Sequence, residues 1–235
     1  MVLAPGVGVV IGAIAAAVVA VAQVLRPDAD LLAAVLGVLV VVALSGSLHL
    51  DGLADFSDAL GSRRDRKTML RIMKQSDIGP FGVVAIIGVL LVDVAALTAC
   101  VRSGFGWQAV LIATTAGRLT LPWTCRTTIP SARPDGLGAT VAGTVRPVTA
   151  VSTTGAVLAA AVVLTWLTGA GLTFPAGRLA GTAAAVLAAV GVSLLVTRRA
   201  RATIGGTTGD VLGAAVELAT PATLLTLTLT LTPPP

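Results

Sequence analysis

Residues 31–60 read LLAAVLGVLVVVALSGSLHLDGLADFSDAL, an apolar run that passes directly into a cluster of carboxylates. Asp51, Asp55 and Asp58 fall within eight residues of a chain that has eleven acidic residues in all. The apolar part is close to the length of about 20 residues that a helix needs to cross the hydrocarbon core of a bilayer. The stretch therefore predicts a membrane span that ends in an acidic segment.

The composition of the whole chain is that of an integral membrane protein. Its 235 residues are 55% hydrophobic and 11% charged, whereas a soluble domain carries about 25% charged residues. The net charge of +5 does not indicate nucleic-acid binding, because aromatic residues make up 3% of the chain and no basic strip carries interleaved stacking residues. The hydropathy also excludes a soluble binding module.

Seven apolar segments predict an all-α, polytopic fold with about seven transmembrane helices, in a single domain over residues 1–235. The segments are 7–25, 31–48, 81–101, 107–123, 148–168, 179–197 and 211–230. The tail LLTLTLTLTPPP, residues 224–235, alternates with a period of two. A lone strand in lipid would leave its backbone unpaired, so we expect a helix or an exposed tail there.

The distribution of basic residues predicts the orientation. With a cytoplasmic N-terminus, most of the sixteen Lys and Arg residues fall in inside loops, as the positive-inside rule requires. The acidic stretch and the stretch TIGGTTGD, residues 203–210, then lie on the same, cytoplasmic side. We expect the functional site at that face.

The spacing of the three aspartates indicates a metal site. Asp51, Asp55 and Asp58 follow an i, i+4, i+7 pattern, which places them on one face of a helix that would continue inward from the second span. Carboxylates so close together repel one another unless a cation lies between them, and carboxylates with water are the ligands that Mg²⁺ prefers. The alternative is a solvated acidic helix start. The position at a membrane face in a carboxylate-poor chain favours Mg²⁺.

A basic stretch follows the acidic one. RRDRKTMLRIMKQSDIGPFG, residues 63–82, predicts a partly amphipathic cytoplasmic helix before a Gly-Pro break. The positive-inside rule explains most of its charges, although its basic side chains could also neutralise phosphates. Lys74 and Asp77 are the more specific candidates.

A second polar motif is GGTTGDVLGAAVELA, residues 205–219. Its glycines allow a tight turn before a helix whose N-terminal amides could receive a phosphate. Asp210 begins that helix, and Glu217, the only Glu in the chain, lies two turns further along the same face. A carboxylate inside an apolar helix is by default a functional candidate. The alternative is a helix cap at Asp210 with a buried structural Glu217.

These motifs resemble those of the adenosylcobinamide-GDP ribazoletransferase (cobalamin synthase) family. The matching stretches are HLDGLADFSDALGSRRDRKTMLRIMKQSDIGPFGVVA, GRLTLPW and GGTTGDVLGAAVE, and the resemblance extends from the second span to about residue 225. It implies a multi-pass enzyme of the cell inner membrane that uses Mg²⁺. The reaction joins adenosylcobinamide-GDP to α-ribazole or its 5′-phosphate, and gives adenosylcobalamin or its 5′-phosphate and GMP.

The resemblance implies a role for each candidate residue. Metal ligands would be Asp51, Asp55, Asp58, Asp210 and Glu217. Substrate contacts would come from Lys74, Gly205, Gly206, Gly209 and Asp210. From its position before the aspartates, His49 is a further candidate for a substrate contact, and the alternative for it is a hydrogen bond at the helix end. Asp58 and Asp77 are the first candidates for the general base, and Lys74 would offset charge on the leaving phosphate. The lipid bilayer is the expected surrounding, no nucleic acid is expected, and self-association stays open.

Two alternative functions remain at this stage. A CDP-alcohol phosphotransferase also clusters aspartates at a helix end, but DGLAD has Asp55 where that family has Arg. A non-enzymatic cation carrier would place acids near the midplane of several spans.

Asp93, within the third span, is predicted to pair with Arg118 of the fourth. The resemblance weakens at PWTCRTTIP, residues 122–130, where the roles of Trp123 and Arg126 stay open.

Overall fold

A computed structural model describes residues 1–169 and 176–230, and these ranges are built almost entirely from helices. Ten helices follow one another in the described residues, which contain no extended strand, so the all-α prediction is confirmed. They are α1 (Ala4–Leu25), α2 (Asp30–Leu44), α3 (Leu48–Gly61), α4 (Arg66–Ile72), α5 (Pro80–Arg102), α6 (Gly106–Thr124), α7 (Gly136–Val141), α8 (Pro147–Thr168), α9 (Ala176–Ile204) and α10 (Gly209–Thr228).

Several of these helices can cross a bilayer. In the described residues, α1, α5, α8, α9 and α10 are long and apolar enough, and α2 with α3 would add a sixth span if the bent pair is counted as one. They indicate a membrane protein, but the predicted count of seven is not confirmed. α6 is not among them; it carries Gln108 and Arg118, and both are buried inside the bundle.

The acidic helix does not continue the second span as predicted. The chain turns by 86° between α2 and α3. Gly46 (φ +60°) and Ser47 (φ +57°) adopt the left-handed conformation at this turn, which an α-helix of L-residues cannot contain. α3 is therefore a separate short helix, and we count it outside the spanning helices.

α6 lies at the centre of the bundle, between α1, α8, α9 and α10. Small residues let these helices approach closely, as is usual for helices packed within a membrane. At Gly8 of α1, for example, an added Cβ would lie 2.6 Å from the carbonyl oxygen of Thr114 in α6. α10 also packs against α3 and α5. The start of α10 is thereby brought to the acidic helix.

Two further predictions concern short segments. The basic stretch does contain a helix, α4, and the Asp65 carboxylate caps it by accepting a hydrogen bond from the Thr68 N–H at 3.0 Å. The tail is helical as far as Thr228, where α10 ends, as expected. Residues 231–235, the last part of that tail, lie outside the described residues.

Candidate active site

Two glycines allow the acidic helix, α3, to pack closely against the start of α10. A Cβ added to Gly52 of α3 would lie 2.9 Å from both the Cα and the carbonyl oxygen of Asp210. A Cβ added to Gly213 of α10 would lie 3.0 Å from the carbonyl oxygen of His49. Backbone therefore packs directly on backbone, which only glycine permits at these positions. The contact brings Asp51 and Asp55 beside Asp210.

Asp51, Asp55 and Asp210, called here the acidic cluster, interact through their charges. Asp51 is exposed, whereas Asp55 and Asp210 are half-buried. Burial, together with the carboxylates of Asp210, Asp51 and Asp58, raises the pKa of Asp55 to about 7. Since a nearby cation favours the ionised form of each carboxylate, the cluster has the electrostatics of a cation site.

The acidic cluster fits Mg²⁺ better than it fits a metal that needs a complete protein cage. No three His, Cys, Asp or Glu side chains in the described ranges are arranged so that they could hold a metal ion by themselves. Mg²⁺ does not need such a cage, because it usually keeps several waters and takes one or two carboxylates with substrate phosphates. The donor set is therefore compatible with Mg²⁺ and a phosphate ligand.

Arg133 contributes the positive charge nearest to the acidic cluster. Its Nη1 lies 3.7 Å from Oδ2 of Asp210, and its Nη2 donates to the Leu70 carbonyl at 2.8 Å. It belongs to the loop between α6 and α8, which the Ala132 N–H fastens to the Thr207 carbonyl at 2.9 Å. From the charge distribution alone, Arg133 is one of the basic residues of the inside loops and no more. The polar stretch ARPDG, residues 132–136, was the signal that could have identified it.

A basic groove adjoins the acidic cluster. It has a volume of about 650 Å³ and its lining includes Lys67, Arg71, Lys74, Arg133, Asp65 and Asp135. Lys74 donates to Asp135 across the groove at 2.8 Å. This hydrogen bond and the charge of Lys74 hold the pKa of Asp135 below its usual value. Since Arg133 lines the groove and also contacts Asp210, the positive and negative halves of the site are continuous.

Asp58 makes hydrogen bonds to the backbone at the start of α5, which the sequence did not predict. Its carboxylate accepts hydrogen bonds from the N–H of Gly79 at 2.7 Å and of Gly82 at 2.9 Å, at the start of α5. A Cβ at Gly82 would lie 2.5 Å from Oδ2 of Asp58, which explains the second glycine of the motif IGPFG. Carboxylates that satisfy the free amides of a helix start stabilise that helix. These contacts indicate that Asp58 holds α5 against α3, and its predicted roles in metal binding and proton transfer stay predictions.

Asp77, predicted as a general base, lies apart from the acidic cluster, and that role stays a prediction. It lies exposed in the connection between α4 and α5, where the Ser76 hydroxyl is 3.4 Å from its Oδ1. Among the described residues, no hydrogen bond or ion pair joins Asp77 to Asp51, Asp55 or Asp210. The structure thus brings Lys74 to the basic groove but leaves Asp77 outside the acidic cluster.

The protein's own backbone contacts the glycine turn before α10. Gly205 (φ +86°) ends α9 and its N–H donates to the Ala200 carbonyl at 3.1 Å. Gly206 packs directly against the backbone of Pro130. Gly205 and Gly206 therefore shape the predicted tight turn, and their predicted contacts with substrate stay predictions. Gly209, which begins α10, is only half-buried and stays a candidate substrate contact.

Glu217 lies deeper in the bundle than the acidic cluster. Its Oε1 is 3.7 Å from Nδ1 of His49, and it lines a cavity of about 20 Å³ together with Asp93 and Arg118. A cavity of this size holds about one water. Glu217 and His49 are thus neighbours on the inner side of α3. The predicted roles of Glu217 as a metal ligand and of His49 as a substrate contact stay predictions.

The prediction that Asp93 and Arg118 form an ion pair is wrong. Both residues line the small cavity, but no ion pair joins them in the described residues. Arg118 instead donates from Nη1 to the Thr114 carbonyl at 3.2 Å. Oδ1 of Asp93 is buried without a hydrogen-bond partner among the described atoms.

Comparison with known proteins decides the family. The sequence profile of cobalamin-5-phosphate synthases matches residues 1–228. The chain belongs to the cobalamin-5-phosphate synthase family. The resemblance seen in the motifs is thereby confirmed. Membership in this synthase family favours neither a CDP-alcohol phosphotransferase nor a cation carrier.

Curated relatives agree with the family. The chain is 39% identical to the adenosylcobinamide-GDP ribazoletransferase of Frankia casuarinae, and the alignment covers 100% of this chain and 86% of the relative. The enzymes of that name from Pseudomonas aeruginosa and a Nocardioides species are 38% and 36% identical; both alignments cover 96% of this chain and 84% of the relative. No solved structure matches this member of the synthase family.

Proposed function

We propose that this protein is an adenosylcobinamide-GDP ribazoletransferase that depends on Mg²⁺. It joins adenosylcobinamide-GDP to α-ribazole or α-ribazole 5′-phosphate and releases GMP. The products are adenosylcobalamin or its 5′-phosphate. Family membership and the names of the relatives support the reaction, and the acidic cluster supports the metal.

The observation that carries the proposal is the junction between the acidic cluster and the basic groove. Arg133 lines the groove and lies 3.7 Å from Asp210. A pyrophosphate in the groove would meet Lys74 and Arg133 on one side and the acidic cluster on the other. Phosphoryl transfer depends mainly on positioning and on stabilising negative charge, and this junction supplies both.

In the proposed reaction a ribose hydroxyl of the ribazole attacks the phosphate attached to cobinamide. The bond from that phosphate to the GMP oxygen breaks, and one carboxylate of the acidic cluster accepts the hydroxyl proton. Lys74 and Arg133 stabilise the negative charge on the departing GMP. Asp51, Asp55 and Asp210 would hold Mg²⁺ together with water and the substrate phosphates, and the ion would supply charge neutralisation at the reacting phosphate.

We place the site on the cytoplasmic face of the cell inner membrane. The acidic cluster, the basic groove and the loop with Arg133 all lie at the end of the bundle where α6 and α9 end and α10 begins. Most Lys and Arg residues belong to loops at that end, and the positive-inside rule assigns such loops to the cytoplasm.

The test is GMP release by the purified protein in nanodiscs. The protein receives adenosylcobinamide-GDP and α-ribazole with and without Mg²⁺, and the corrinoid product is measured in parallel. We expect Asp55→Asn to lower the rate by at least about 100-fold, because loss of even an outer-shell partner of a metal ligand costs about 10–100-fold. Asp28→Asn is the matched control, because Asp28 is exposed in the connection between α1 and α2 and lies in neither the acidic cluster nor the basic groove.

Two outcomes would contradict the proposal. Absence of GMP release from well-folded protein that turns over a CDP-alcohol would assign a different transferase reaction. Full activity after removal of Mg²⁺, or equal rates for Asp55→Asn and Asp28→Asn, would contradict metal binding by the acidic cluster. The family assignment would be unaffected.

A further inference from the structure

A second basic groove lies at the same end of the bundle and shares no lining residue with the first. It has a volume of about 400 Å³ between the loop after α6 and the last turns of α9, and we call it the arginine groove. Three guanidinium groups and a threonine line one side of the groove, and the apolar side chains of Ile129 and Leu194 line the other. Its polar residues are Arg126, Thr197, Arg198 and Arg201.

The three arginines of the groove have no acidic partner. No ion pair of Arg126, Arg198 or Arg201 with a carboxylate exists in the described ranges of the chain. Arg126 lies over the ring of Trp123, with its Cζ 4.9 Å from the ring centroid, and its Nε donates to the Trp123 carbonyl at 2.9 Å. The stacking fixes the guanidinium plane, while neither terminal nitrogen makes a hydrogen bond within the described residues.

The charges within the groove also repel one another. Burial and the positive charge of Arg201 lower the pKa of Arg126. Like charges held together without a counter-charge destabilise the folded protein, and an anion between them removes that cost. Arg199 of the same helix does not line the groove, so the groove gathers some of the basic residues at this end of the bundle and not all of them.

Thr197 provides an independent observation that points to a ligand. Its side chain is only 3% exposed, and its hydroxyl has no hydrogen-bond partner in the described part of the chain. Other threonines of this protein, such as Thr203 in α9, donate to the carbonyl four residues earlier. Buried hydroxyls without a partner are costly. Thr197 lines the groove, so a rotation about its χ1 would let the hydroxyl donate the hydrogen bond that it lacks to a phosphate oxygen there.

We propose that the arginine groove binds a phosphate-bearing ligand apart from the acidic cluster. Arg126, Arg198, Arg201 and the Thr197 hydroxyl hold the phosphate, and Leu194 contacts the apolar part of the ligand. Two sources offer this chemistry: an anionic phospholipid headgroup of the surrounding membrane and a soluble phosphomonoester. Leu195, next to Leu194 on α9, is 67% exposed, so the groove borders a surface that lipid chains can cover.

The experiment measures the thermal unfolding temperature of the full chain in detergent during ligand titration. The probes are dioctanoyl phosphatidylglycerol, dioctanoyl phosphatidylcholine and adenosine 5′-monophosphate. We expect saturable stabilisation by phosphatidylglycerol and none by the zwitterionic lipid. Arg126→Gln and Arg201→Gln should each weaken the apparent Kd by about tenfold, because each removes a charge-assisted contact, whereas Arg199→Gln should not change it.

Thr197→Val is a control that distinguishes loss of a binding contact from misfolding. This substitution keeps the volume and removes the unpartnered hydroxyl, so the free protein should be at least as stable while its affinity for phosphatidylglycerol falls. Stabilisation by adenosine 5′-monophosphate alone, lost in the same variants, would support the site with a soluble phosphate as its ligand. Equal stabilisation by both lipids, or equal effects of Arg199→Gln and Arg126→Gln, would overturn the proposal.

Discussion

Gly52 of α3 packs directly against the backbone of Asp210 at the start of α10. This contact holds two carboxylate-bearing segments together although they are far apart in the sequence. The acidic cluster exists because Asp51 and Asp55 flank the glycine on its own helix and Asp210 lies on the other side of the contact. The closeness of these two backbones is thus a condition for the proposed metal site.

The first prediction concerns Gly52→Ala. The new methyl group would lie 2.9 Å from backbone atoms of Asp210 that cannot move as a side chain can. We expect a loss of stability of about 1–3 kcal/mol from overpacking and a higher Mg²⁺ concentration for half-maximal GMP release. Gly88→Ala is the control, since nothing lies within 4 Å of a Cβ at Gly88. Unchanged Mg²⁺ dependence in Gly52→Ala would show that the glycine contact does not set the metal site.

The second prediction separates capping from metal binding at Asp58. Asp58→Ala leaves the N–H groups of Gly79 and Gly82 without their acceptor. Unmet hydrogen bonds of this kind cost about 1–3 kcal/mol each, so thermal unfolding in nanodiscs should shift to a clearly lower temperature. The residual activity should keep the Mg²⁺ dependence of the unaltered protein. A large rise in the Mg²⁺ concentration that activity requires, without loss of stability, would instead support Asp58 as a metal ligand.

The third prediction concerns Arg133→Gln. The change removes the charge that faces Asp210 and the donor to the Leu70 carbonyl. We expect KM for adenosylcobinamide-GDP to rise by at least about tenfold, because charge-assisted contacts to phosphate are the strong ones. Steady-state kinetics at saturating Mg²⁺ would measure it. Arg64→Gln, an exposed arginine between α3 and α4, should leave KM unchanged; an equal effect of both variants would point to general charge attraction.

The fourth prediction concerns the pair of Lys74 and Asp135. Both side chains are more than half exposed, so Lys74→Met should change stability little near neutral pH. It should raise KM for adenosylcobinamide-GDP, whereas Asp135→Asn should leave KM unchanged or lower it. A rise in KM for both variants would instead assign the effect to the ion pair itself.

The same pair predicts a pH dependence. Lys74 lowers the pKa of Asp135 in the folded state. A carboxyl with a lowered pKa adds stability above its unfolded pKa of about 4, and that contribution is lost as the pH falls through the folded pKa. Lys74→Met should therefore lose less stability than the unaltered protein when the pH is lowered below about 4. Thermal unfolding between neutral and acid pH would measure the difference.

Much of the architecture could be predicted from local patterns. The apolar segments at 81–101 and 107–123 correspond to α5 (Pro80–Arg102) and α6 (Gly106–Thr124) within a residue or two at each end. Apolar runs of this length have few alternatives to a helix in a bilayer, because every backbone polar group must be satisfied within the segment. The bend before α3 was not predicted, since a left-handed serine leaves no signal in hydropathy.

Hydropathy and residue spacing are local properties, and they were sufficient to predict a helical membrane protein with carboxylates gathered beside a glycine-rich turn. Local patterns did not show which of these groups come into contact. Asp58 bonds to amides 21 and 24 residues away, and Arg133 reaches a carbonyl 63 residues away. Such contacts follow from how the helices pack, and packing depends on the shapes of all neighbours at once. The packing thus divided the three aspartates of α3 between a helix cap and a candidate Mg²⁺ site.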